Sequence, residues 1–97
     1  MGKMVLIKTD GTVEEYAVKK LEFDTVRKLI GCQWLERTKV RYENRIRDCW
    51  LDEEGLLRGR PTFNPHVRAL AQDYWMKVGI PPDTIQQFVG HGVVWIP

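Results

Sequence analysis

The stretch M-V-L-I-K-T-D-G-T-V-E-E-Y-A-V (residues 4–18) sets two β-rich runs on either side of Asp10-Gly11. Glycine in the second turn position takes positive φ without strain, so Asp-Gly between such runs is a strong local hairpin signal. Strands are predicted over residues 3–8 and 12–18.

Working outward, L-E-F-D-T-V-R-K-L-I-G puts Phe23, Val26 and Ile30 on one helical face, with Leu29 flanking it and Gly31 in a C-cap position. That predicts a helix over 22–30. Residues 32–51 interleave Trp34, Leu35, Val40, Tyr42, Ile46 and Trp50 with arginines. Alternation there predicts strands over 33–41 and 45–51, with Glu43-Asn44 at the turn. Asp52-Glu53-Glu54-Gly55 reads as a polar turn, and Leu56-Leu57 as a brief strand or a buried anchor. Asn64 suits a helix N-cap and Pro65 the first helical position. Val67, Leu70, Ala71, Tyr74, Trp75 and Val78 then recur at helical spacing, and Gly79 with Pro81-Pro82 ends the helix, giving 64–78. The final G-V-V-W-I-P (92–97) reads as a last strand, with Gly90 and Gly92 allowing a bend or a close approach before it. The expectation is one α+β domain, ββαβββαβ-like, with two helices packed on a mainly antiparallel sheet.

The chain of 97 residues is the size of a single domain, and 43% hydrophobic with 29% charged residues is the composition of a folded one. Fifteen basic against 13 acidic residues leave a net charge of +2, too balanced to argue for duplex DNA or an anionic membrane from charge alone. Two cysteines, Cys32 and Cys49, permit at most one disulfide. With no apolar signal core and no run of spanning length, the expectation is a reduced cytoplasmic protein, its cysteines packed as small hydrophobes, with no membrane partner.

Chemistry is harder to place. His66, His91, Cys32 and Cys49 are scattered singly without paired ligand spacing, so no metal site is expected. The chain has no serine, and neither cysteine stands in an electropositive turn, which removes the usual nucleophiles. Asp48, Asp52, Glu53 and Glu54 are the acids that would serve a metal-dependent hydrolase, but no general base accompanies them. No catalytic residue and no cofactor are therefore expected.

Arginine dominates the middle third through Arg37, Arg41, Arg45, Arg47, Arg58, Arg60 and Arg68, with Lys39 among them. Arginine suits bidentate phosphate contacts, and Trp34, Trp50, Tyr42 and Trp95 lie close by in sequence as stacking surfaces. In R-G-R-P-T-F-N-P-H (58–66), Arg58, Arg60 and His66 adjoin the helix start at Asn64, where free N–H groups receive anions. The same stretch also reads as a basic loop closing onto a core helix. Candidate ligand-binding residues are Arg58, Arg60, Asn64, His66 and Arg47 for phosphate, with Trp34, Trp50 and Tyr42 for a base.

The runs I-G-C-Q-W-L-E (30–36), W-L-D-E-E-G-L-L-R-G-R-P-T-F-N-P (50–65), G-I-P-P-D-T-I (79–85) and V-G-H-G-V-V-W (89–95) resemble domain-of-unknown-function family 3846. This is a family of small proteins frequent in phages, prophages and plasmids. The chain departs from the pattern at Arg60 and at Gln86-Gln87-Phe88. The resemblance implies a mobile-element accessory protein of the bacterial cytoplasm and supplies no catalytic residues. By analogy with accessory proteins of this size, the expected role is counter-defence: a non-enzymatic protein sequestering a phosphate-bearing nucleotide signal. The alternatives are a protein–protein inhibitor of a host defence complex and a small metal-dependent hydrolase. A homodimer is expected, since so small a domain encloses a nucleotide most easily between subunits and its first and last strands offer edges for pairing.

Overall fold

The computed structural model describes every residue except Met1, Arg58, Arg60 and Gln86. Strands β1 (Gly2–Ile7) and β2 (Val13–Val18) form the expected hairpin. Its turn is closed by the Gly11 N–H donating to Lys8 O at 3.0 Å, and Gly11 takes a φ of +91°. Helix α1 (Phe23–Ile30) ends where Gly31, at a φ of +80°, donates its N–H to Arg27 O. Next come β3 (Leu35–Tyr42) and β4 (Arg45–Asp52), joined through Glu43-Asn44 with both φ angles positive. Helix α2 (Pro65–Lys77) and β5 (Gly92–Ile96) complete the chain.

The five strands make one sheet in the order β2-β1-β5-β4-β3, and every neighbouring pair is antiparallel. Side chains alternate across it, so β1, β3, β4 and β5 each feed two cores, while β2 adds only Val18 to one of them. On one face Val5, Ile7, Cys49, Leu51 and Val94 pack with Val67 and Ala71 of α2. On the other, Met4, Leu6 and Val93 pack with Val26 of α1. The two helices therefore cover opposite faces of a single α+β domain. Each fully buried valine or leucine contributes roughly 1.5–3 kcal/mol. Burial pushes the Cys49 thiol up to about 12, so it stays protonated as a packing group, and no disulfide joins it to Cys32. Gly92 fits the expected close approach: a Cβ there would lie 2.8 Å from Val67 Cγ2, where α2 crosses β5.

Three expectations are corrected. Among the described residues the connection after β4 holds no sixth strand, so the order is ββαββαβ. Gly55–Leu57 form a 3₁₀ turn, and Leu56 and Leu57 are 60% and 81% exposed rather than anchored. Asp52 Oδ1 accepts the Glu54 N–H and turns the chain sharply, and β4 already has a strand on each side. The first and last strands are not edges, because β1 and β5 pair with each other in the middle and leave β2 and β3 outermost. Trp34 precedes β3 instead of lying on a strand and is 56% exposed.

Candidate ligand-binding site

Asn64 caps α2 as its position implies, its Oδ1 accepting the Val67 N–H at 3.1 Å. Its Nδ2 donates to Ile7 O at 3.0 Å and to Gly90 O at 2.9 Å. The side chain is buried and its donors and acceptor are used on backbone, so it tethers α2 to β1 and to the segment before β5. His66, exposed in the first turn of α2, has its ring against the β1–β2 turn: a Cβ on Gly11 would lie 3.1 Å from it. Arg58 and Arg60 lie outside the described residues.

The remaining sequence candidates are distributed over both faces. Arg47 and Tyr42 face the α2 side near the β3–β4 turn, where the Arg47 Nε donates to Tyr42 O at 3.5 Å. Tyr42 packs against the α2-side core, and burial raises its hydroxyl above the ordinary tyrosine value, with Glu43 adding to the effect. Trp50 faces the α1 side, its ring edge-on to Phe23 at 4.9 Å between centroids. The Trp50 Nε1 donor is buried and has no hydrogen-bond partner among the described residues. Trp34, Trp50, Tyr42, Arg47 and His66 thus do not converge on one cavity.

A different set does converge. Arg37, Lys39 and Arg41 stand at i, i+2 and i+4 on β3 and so project from the same face, about 7 Å apart. The register sets them opposite Trp50, Asp48 and Ile46 of β4, with Trp95 of β5 opposite Asp48 on the far side. This is the α1 side of the sheet, but α1 is only eight residues long and leaves this corner open. The Arg37 guanidinium lies over the Trp50 ring, 6.0 Å from its centroid. Lys39 pairs with Asp48 at 2.5 Å, and Ile46 is 62% exposed. Neither Arg37 nor Arg41 has an ion-pair partner among the described residues. A small cavity of about 160 Å³ opens between Lys39, Ile46, Arg47, Asp48, Trp95 and Pro97, so among the described residues Arg47 is the one phosphate candidate from the sequence that borders this corner. The signal for this row was its period of two, which a count of arginines by region does not register.

The acids of the hydrolase alternative are occupied separately: Asp48 by Lys39, and Asp52 by the Glu54 N–H. Among the described residues no group of three or more His, Cys, Asp or Glu is placed to hold a metal ion. No helix among them is long and apolar enough to cross a membrane.

A second concavity, of about 400 Å³, lies on the other side of β3. Trp75, Ile80, Ile85 and Phe88 line it, with Glu36, Arg37 and Thr38 at the strand. Arg68 ties the lining residue Ile85 to α2: the guanidinium donates to Gln72 Oε1 and to Ile85 O. Comparison of the chain with protein-family models, curated proteins and solved structures finds no match.

Proposed function

We propose that this domain is a non-catalytic binding protein that captures a phosphate-bearing nucleotide on the open corner of β3, β4 and β5. One observation carries the reading: Arg37, Lys39 and Arg41 face the same side as Trp50 and Trp95, joining cations to flat aromatic surface. Arg37 and Arg41 would hold phosphate by charge-assisted hydrogen bonds. Lys39 can join them, because a partly exposed ion pair such as Lys39–Asp48 is worth under about 1 kcal/mol and yields to a competing phosphate. A base would stack on the Trp50 ring as the Arg37 guanidinium moves from the ring to the phosphate.

In the setting implied by the phage-borne resemblance, such capture acts as sequestration of a nucleotide signal in the bacterial cytoplasm, against host defence. The capturing form is a homodimer, in which the partner closes the open corner over the ligand. Calorimetric titration against linear and cyclic nucleotides at low salt tests the reading. Arg37→Ala and Arg41→Ala are each expected to weaken binding about tenfold to a hundredfold, the loss of one charge-assisted contact worth roughly 1.5–3 kcal/mol. Affinity should fall as salt rises. Arg58→Ala and Arg60→Ala belong in the same series, since the helix-start reading assigns the effect to them instead. Wild-type protein that binds no nucleotide sinks the proposal, and light scattering of a strict monomer with ligand removes the dimer from it.

A further inference from the structure

Strand β3 is an outer strand, and its hairpin register decides which of its backbone groups are spent. The turn Glu43-Asn44 has two residues, with φ of +52° and +62°. In such a hairpin the flanking pair, here Tyr42 and Arg45, exchanges both backbone hydrogen bonds, and bonded pairs recur at every second residue. Thr38, Val40 and Tyr42 therefore direct their N–H and C=O groups toward β4. Those of Arg37, Lys39 and Arg41 point away from it. Among the described residues, these three make no backbone hydrogen bond to any other segment. Beside this free edge lies the cleft of about 400 Å³, a volume within the range of ligand pockets.

We propose that the β3 edge receives an extended peptide in which acidic and apolar residues alternate. An added strand would take its main-chain hydrogen bonds from Arg37, Lys39 and Arg41, in the manner of strand addition to an exposed sheet. Its side chains would then alternate between the faces. Those on the α1 side lie alongside the Arg37, Lys39 and Arg41 side chains, which select carboxylates. Those on the α2 side lie beside Thr38 and reach the apolar cleft, where Trp75, Ile80, Ile85 and Phe88 accept an aliphatic or aromatic group. The outward groups from Arg37 to Arg41 span about 14 Å, which matches a peptide of five to seven residues. Charge excludes the simplest self-association: β3 against β3 of a second copy would set Arg37, Lys39 and Arg41 against themselves, and like charges directly opposite destabilise a ladder. The proposal shares the Arg37, Lys39 and Arg41 side chains with nucleotide capture but adds the outward backbone and the apolar wall of the cleft, so Ile80→Glu, which alters only that wall, should lose peptide while keeping nucleotide affinity.

The test is fluorescence anisotropy at low salt with three labelled seven-residue peptides: Glu and Val alternating, the same composition with the acids in one block, and Lys and Val alternating. The alternating acidic peptide is expected to bind at least tenfold more tightly than the block peptide, and the Lys peptide not at all. Lys39→Pro removes one outward N–H, a change edge strands tolerate. It should cost tenfold beyond the loss in Lys39→Ala, which removes only the charge. Ile80→Glu should also lose at least tenfold; Ile80 is 39% exposed, so this variant keeps its fold if Lys39→Pro does not. Equal binding of alternating and block peptides would mean charge attraction alone and overturn the proposal, as would wild-type affinity in Ile80→Glu. A solution dimer abolished by Lys39→Pro would assign the edge to a second copy and overturn it too.

Discussion

Asn64 holds together three parts of the chain through one amide. Its cap on Val67 was legible in the sequence because capping is local: Asn before Pro before a periodic apolar run. Its bonds to Ile7 O and Gly90 O were not, since the partners lie 57 and 26 residues away. That difference changes the expected effect of mutation. Loss of a cap alone costs about 1 kcal/mol. Asn64→Ala also strips the donor from two carbonyls at a buried site, each worth roughly 1–3 kcal/mol when left unsatisfied. The expected destabilisation is therefore roughly 3 kcal/mol or more, read from urea or thermal denaturation. Asn64→Asp should be no rescue, because a carboxylate still caps Val67 but confronts both carbonyls with negative charge. If Asn64→Ala costs no more than a simple cap, the long-range tethers contribute little.

At the scale of elements, both helices, the two hairpins and the last strand were readable from periodicity and turn residues, with ends displaced by a residue or two. Leu56-Leu57 misled because two leucines after a turn have the composition of an anchor, and only the crowded flanks of β4 exclude it. The basic row on β3 was hidden for the opposite reason: Arg37, Lys39 and Arg41 belong together only once residues of a strand are sorted by face. The Glu43-Asn44 turn carries the other lesson of this hairpin. Both residues occupy the left-handed region, which costs a side chain without local compensation roughly 1–2 kcal/mol, and Asn bears it better than Glu. Replacing the pair by Asn-Gly should stabilise the fold by about 1 kcal/mol, after allowance for the greater freedom of glycine in the unfolded chain. The Lys3–Glu43 contact it removes is exposed and 3.8 Å long, so it subtracts little. A melting temperature that falls in the Asn-Gly variant would contradict this account of the turn.

For the molecule as a whole, the sequence carried no sign of strand order. Composition and periodicity report what each segment is, while the neighbours of β5 are fixed by how two faces of one sheet are covered at once. The outcome puts β5 in the centre, between β1 and β4, with Val93 and Val94 fully buried on opposite faces. Removing residues 92–97 therefore splits the sheet and both cores together. The burial lost from these two valines alone is roughly 3–6 kcal/mol, and the ladders on both sides go with it, against a total stability of about 5–15 kcal/mol for a domain. A chain ending at His91 should show no cooperative melt by circular dichroism. A cooperative transition in that truncation would mean β1 and β4 can close the sheet without it. The central place of β5 also has a consequence in time. The ribosome releases β5 after the other elements of the fold, so β1 and β4 keep their inner borders bare until Gly92–Ile96 follow. Until β5 emerges the sheet cannot close, and both half-built cores stay open to the cell's chaperones and proteases.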